Sequence, residues 1–147
     1  LTVETARLAD LRGFLEDRLA AQVMAAQDHA LQIDAALTAG AATLELIELL
    51  EQAGPYGTAH AAPVFAFPAH RVLYAAAAGG SHVRCTIAAA DGKRLKAIAF
   101  RALGTELGEL LLSERQLPLH IAGRLTIDDW SGARAPSLHI EDVARVV

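Results

Sequence analysis

From Val64 onward the apolar residues stop recurring at helical spacing and take up a period of two, which they keep, with one interruption, as far as Ile140. Val83, Cys85 and Ile87 alternate with Arg84 and Thr86, and Leu119, Ile121, Leu125 and Ile127 are set among His120, Ala122, Arg124 and Thr126. Such alternation buries one face of a strand and leaves the other to water. The interruption is Leu103, Leu107, Leu110 and Leu111, at helical spacing and stopped by Pro118. Gly79-Gly80 punctuates the first strands, and Asp91-Gly92 predicts a two-residue hairpin turn with positive φ at both positions. A turn around Asp129 to Gly132 precedes a last strand carrying Leu138 and Ile140. The predicted order is therefore Val64 to Ala78, His82 to Ala88 and Leu95 to Phe100 as strands, then a helix, then two more strands.

Before Val64 the pattern is helical. Leu8, Leu11, Leu15 and Leu19 predict an amphipathic helix over Thr5 to Met24, with Thr2 or Thr5 as its cap. Asp28 to Leu37, where Leu31 and Ile33 alternate, fits a short strand or an extended connector equally. A second helix is predicted from Thr43, with Glu45 in its first turn where a carboxylate suits the helix dipole, and Leu46, Ile47, Leu49 and Leu50 turned inward. Gly54-Pro55 ends it, glycine for a left-handed turn and proline because it cannot extend a helix. Three strands, a helix and two strands is the order of a five-stranded OB barrel whose helix plugs the open end. The fold class expected is thus α+β, an OB-fold barrel at 54–147 preceded by a helical segment at 1–53. An SH3-like barrel and a plain α+β sandwich share the same periodicity.

The 147 residues, 53% of them hydrophobic, suffice for one or two small cores without staples. Cys85 is the single cysteine, which rules out an internal disulfide and a cysteine knuckle for zinc and suits a reducing cytoplasm. The most apolar run, Val72 to Ala78, is far short of the ~20 residues a membrane helix needs. The chain opens at Leu1 in mid-pattern, as a piece excised from something larger would. Net charge is −4, unevenly spread. Leu1 to Phe65 holds three basic residues against nine carboxylates, net −6, whereas Ala66 to Arg134 holds nine against six, net +3. That asymmetry permits an anion-binding face on an acidic chain.

Catalytic patterns are missing from the sequence. The six histidines never fall three or four apart on a helix with carboxylates beside them, so no metal site is expected. There is no nucleophile elbow, no phosphate-cradling glycine loop and no carboxylate pair in a barrel mouth, Asp128-Asp129 being placed in a hairpin turn. Candidate binding residues are easier to name. Trp130, in the loop between the last two strands and beside Arg134, would stack on a base if exposed or cover the barrel rim if folded back. Arg84 and Lys96 on the second and third strands and Arg124 on the fourth point outward and form a candidate phosphate strip, with Arg71 on the first strand. Phe100 shares the parity of Lys96 and is a second stacking candidate, although Tyr56, Phe65 and Phe100 are read first as core.

The junction "GPYGTAHAAPVFAF", the preceding helix "ATLELIELLEQA", the strand "LKAIAF" and the hairpin "IAGRLTIDDWSGARAPSLHIEDV" resemble, in that order and spacing, the carboxyl-terminal part of the RecJ-type single-stranded-DNA-specific exonucleases. The resemblance spans essentially the whole chain. It implies that the first fifty-odd residues end the second catalytic-core domain and supply a connecting helix, and that an OB domain gripping single-stranded DNA follows. For the parent protein it implies a 5′–3′ exonuclease of DNA repair and recombination, run by two metal ions, Mn or Mg, on aspartates and histidines that lie upstream. This stretch would then handle DNA without catalysing, using Arg71, Arg84, Lys96, Arg124 and Arg134 for phosphate and Trp130 for stacking. The rival expectation is a protein-interaction module that docks on the nuclease core or on a repair partner. Where the family commonly reads Gly-Asn-Pro in the junction, this chain has Ala59-His60-Ala61. The junction itself is expected to stop the helix, turn the chain and aim Val64 into the first barrel strand.

Overall fold

The computed structural model describes residues 7–26, 30–57, 60–113, 117–129 and 134–146. The chain divides into two compact units, Leu1–Leu31 and Gln32–Val147. The first holds helix α1, Leu8–Ala26, whose exposed face carries an Arg12–Glu16 ion pair one turn apart and Arg18 above the Phe14 ring. Its expected threonine caps lie outside the described residues.

The second unit is a closed barrel. Its elements are β1 (Ala35–Ala36), α2 (Leu44–Gln52), β2 (Phe65–Ala78), β3 (His82–Ala88), β4 (Arg94–Ala99), α3 (Glu106–Ser113), β5 (Pro118–Asp128) and β6 (Ala135–Arg145). The strands run in the order β1-β2-β3-β4-β6-β5, and β2 also pairs with β5, which closes the roll. Every pairing within the roll is antiparallel except β4 with β6. This is the OB barrel the periodicity suggested, with α3 between its third and fourth strands and a short sixth strand added.

One long strand makes the closure possible. The first half of β2 pairs with β5, from Phe65 opposite Gly123 to Arg71 opposite Pro118, and the second half pairs with β3. Register shifts at Phe67/His70 and Val72/Tyr74 bend it between these partners. Ala69 sits in the first irregularity with φ 53°. The core follows the period of two: Phe67, Val72, Val83, Cys85, Ile87, Leu119, Ile121 and Leu138 are all buried, with Leu111 of α3 closing the end. Burial of each large side chain is worth about 1.5–3 kcal/mol. Cys85 belongs to this core, and burial pushes its thiol up to about 12, so it is inert packing rather than a nucleophile.

Several local expectations need correction. The ambiguous segment after α1 becomes β1, two alanines lying parallel to Phe65 and Ala66. Asp34 holds it there: its backbone N–H donates to the Val64 carbonyl at 2.9 Å, and its carboxylate accepts from the Val64 N–H at 2.8 Å. Thr43, the predicted start of the second helix, caps α2 instead, its hydroxyl accepting from Leu46 N–H, and Glu45 is held below the usual carboxylate range by a backbone N–H and by that hydroxyl. Ile47 is buried, but Leu49 is 62% exposed, because a nine-residue helix turns only one narrow stripe to the barrel. Gly54 is not left-handed. The helix ends on Ala53 in right-handed geometry, and a Cβ at Gly54 would come 3.1 Å from the Glu51 carbonyl, so glycine is there for room. The Asp91-Gly92 hairpin is longer than two residues: Gly92 N–H donates to Ala89 and Ala89 N–H to Lys93, and only Gly92 takes positive φ, 79°. That is a three-residue loop, Ala90 to Gly92, closed by a glycine bulge.

The junction is pinned at several points. Tyr56 donates its hydroxyl to the Leu50 carbonyl at 2.6 Å, the His60 ring lies 3.3 Å from the Ala53 carbonyl, and the two rings stack with centroids 5.1 Å apart. The Leu50 carbonyl also accepts from the Ala53 N–H at 3.0 Å, so the Tyr56 hydroxyl is its second donor. The His60 ring thus helps to hold the helix end.

Candidate nucleic-acid interface

The outer face of the β2-β3-β4 meander collects the side chains that the core excludes, and the register sets them in rows. Ala78, His82 and Phe100 form one end. Next come Ala76, Arg84 and Ile98, then Tyr74, Thr86 and Lys96, and finally Arg71, Ala88 and Arg94. Because β6 lies beside β4, the second row continues to His139 and the third to Ser137. Arg124 on β5 lies opposite His139 and Thr126 opposite Ser137.

A groove of about 580 Å³ crosses these rows, bordered by Arg84 and Lys96, by Phe100 and His139, and by Thr126 and Asp128. Phe100 and His139 bring rings to its lining. Phe100 meets His82 edge to face at 5.1 Å and His139 edge to face at 4.9 Å, which makes a ladder of three rings across β3, β4 and β6. The His82 ring is fixed by its Nδ1, which accepts from the Arg101 N–H at 2.9 Å. His139 is half-buried, and that burial lowers its imidazole pKa from the ordinary value while Glu141 pulls the other way. Phe100 stays 52% exposed and Tyr74 50%. An exposed ring beside cations on the second and third strands of an OB barrel offers what a nucleotide needs, a face to stack on and a charge for its phosphate.

The residues expected from sequence do not all join this groove. Arg84 and Lys96 do, as diagonal neighbours roughly 7–8 Å apart, and among the described residues neither forms an ion pair. Arg71 lies at the far end of the same face, in a second groove of similar volume with Arg94. Arg124 is engaged elsewhere: its Nη1 meets Glu141 at 2.7 Å and its Nε donates to the Ala62 carbonyl at 3.1 Å, tying the junction to the barrel. Arg134 meets Glu48 of α2 at 3.3 Å and Asp129 at 3.9 Å. Trp130 lies outside the described residues.

Phe100, read first as core, is on the surface, because its parity with Lys96 outweighs its apolar character. Tyr56 is half-buried and Phe65 buried. Tyr74, His82 and His139 were not nominated from sequence. The parity of His82 with Arg84 and of His139 with Ser137 would have found those two. Tyr74 sits beyond the Val72/Tyr74 irregularity, where counting by twos fails. Among the described residues no three His, Cys, Asp or Glu side chains gather as a metal site requires. No described helix is long and apolar enough to cross a membrane.

A family model described as the RecJ OB domain matches residues 33–142. No curated protein matches the chain.

Proposed function

Since the chain belongs to the RecJ OB domain family, we propose that its barrel holds single-stranded DNA for a RecJ-type 5′–3′ exonuclease acting in repair and recombination in the cytoplasm. Membership of that family points to nucleic-acid binding. The reading for single strands is carried by one observation, the exposed Phe100 ring flanked by His82 and His139 and bordered by Arg84 and Lys96. A duplex keeps its bases stacked on each other and hides the faces that such a ladder would meet, whereas an unpaired base can lie on it. The hydrolysis, with its Mn or Mg ions, belongs to residues outside this stretch. This chain's part is to hold the strand in place while the core cuts.

Affinity of one barrel with two groove cations is modest and falls with added salt, because releasing the same counterions into a saltier solution gains less free energy. Fluorescence anisotropy of a labelled oligothymidine, at low and at moderate salt and beside a duplex of equal length, tests the reading. Preference for the single strand with a clear loss on adding salt is expected. Equal affinity for the duplex, or affinity indifferent to salt, would reject it.

A further inference from the structure

The outer face does not end at the groove. Six residues along β4 from Phe100, at the hairpin end of the meander, Arg71 and Arg94 flank Ala88 across three adjacent strands. Strands are about 4.8 Å apart, so the two backbones stand roughly 10 Å from each other. Both arginines are exposed, whereas Ala88 between them is only 7% exposed although it faces outward. A methyl group on that side can be covered only by its neighbours, and the stems of long cationic side chains do this while their heads stay in water. The two guanidinium groups can therefore reach the same point above Ala88. The resulting groove measures about 550 Å³, with Leu73 and Pro118 on its walls.

Charge differs between the two ends of the face. Asp128 and Asp129, from β5 and its turn, line the same groove as Phe100, Arg84 and Lys96, and Glu141 of β6 acts on His139. At the other end neither Arg71 nor Arg94 forms an ion pair among the described residues, and no Asp or Glu is among the described residues that line their groove. Tyr74 and Lys96 lie between the ends, so the face is continuous.

We infer that Arg71 and Arg94 form a second anchor, specific for a phosphodiester of the same strand, some 20 Å along the barrel from the stacking ladder. The inference rests on the reading of the barrel as a single-strand holder and adds to it a direction and a length. Bases are taken at the Phe100 end and backbone charge at the Arg71 end. A strand too short to reach both is held by the ladder alone. Guanidinium suits this position because its planar fork can grip two phosphate oxygens at once.

Oligothymidines of increasing length, from about 4 to about 16 nucleotides, the range of site sizes for one OB fold, are titrated by anisotropy against the unmodified chain. The same series is run on Arg71→Ala/Arg94→Ala and on Arg71→Lys/Arg94→Lys. For the unmodified chain, affinity rises with length and then levels once the strand spans both anchors. The alanine pair is expected to bind the shortest oligonucleotide normally, to level earlier, and to lose about 1.4 from the slope of log affinity against log salt, two contacts at ~0.7 each. The lysine pair should keep most of that slope. An alanine pair whose length dependence and slope match the unmodified chain overturns the anchor while leaving the stacking groove intact. Failure of the unmodified chain to bind any oligonucleotide overturns the functional reading, and the anchor with it. Both positions are exposed, so matching thermal melts show that the variants are folded.

Discussion

Phe100 and His139 meet edge to face across the parallel pair β4 and β6, their ring centroids 4.9 Å apart, with the phenyl ring still half open to water. A side chain that is both fixed and exposed contributes to binding more than to folding. Replacing Phe100 with alanine should weaken single-strand binding by ~1–3 kcal/mol, roughly 5- to 150-fold, with little change in melting temperature. Anisotropy and a thermal melt on the same variant check both halves.

His139 also makes the barrel sensitive to acid. Burial lowers its pKa in the folded chain, so the unfolded chain takes up a proton first as pH falls. The stability held by the neutral ring is fully present above the ordinary histidine value near 6.5 and is lost as pH drops through that value toward the lower folded one. The melting temperature should therefore fall between pH 7.5 and 5.5, and His139→Gln should flatten part of that fall. A bound phosphate would favour the protonated ring, so oligonucleotide affinity should move the opposite way and rise over the same interval.

Arg124 and Lys96 separate structure from binding. Arg124 is committed to Glu141 and to the Ala62 carbonyl, and Lys96 borders the groove without an ion pair among the described residues. Arg124→Ala should lower the melting temperature, since it frees the junction, and leave the salt slope of binding close to unmodified. Lys96→Ala should do the reverse and reduce that slope by about 0.7.

His70 is the buried polar group on which the barrel's seam depends. Its Nε2 accepts from the Ala39 N–H at 3.0 Å, and its Nδ1 lies 2.9 Å from the Pro68 carbonyl, a pair that only the neutral ring protonated on Nδ1 can satisfy. His70→Phe would keep the volume and strip a partner from each. An unsatisfied buried group costs about 1–3 kcal/mol, so chemical denaturation should show a loss of at least that size. DNA binding by the remaining folded protein should be unchanged.

The barrel was legible because its signal is periodic: alternation along Val83 to Ile87 and Leu119 to Ile127 fixes which face is core wherever a strand is regular. Legibility fails where the count is broken or the residue type misleads. The irregularity at Val72/Tyr74 turns Tyr74 outward from within an apolar run, and the apolar ring of Phe100 suggested burial although its position did not. Partners distant in sequence were also invisible. Nothing local says that Arg124 will meet Glu141 and Ala62, that Arg134 will meet Glu48, or that Ala35 and Ala36 will lie beside Phe65 and Ala66.

Because Phe65–Ala78 serves β5 with its first half and β3 with its second, each strand of the ring has a neighbour on either flank, and β1 shields the stretch that β3 does not reach. Such a ring leaves scant room for a visiting peptide to zip itself on through main-chain bonds. Whatever docks on this molecule must therefore be recognised by protruding side groups, and altering those groups one at a time should suffice to redirect its choice of company.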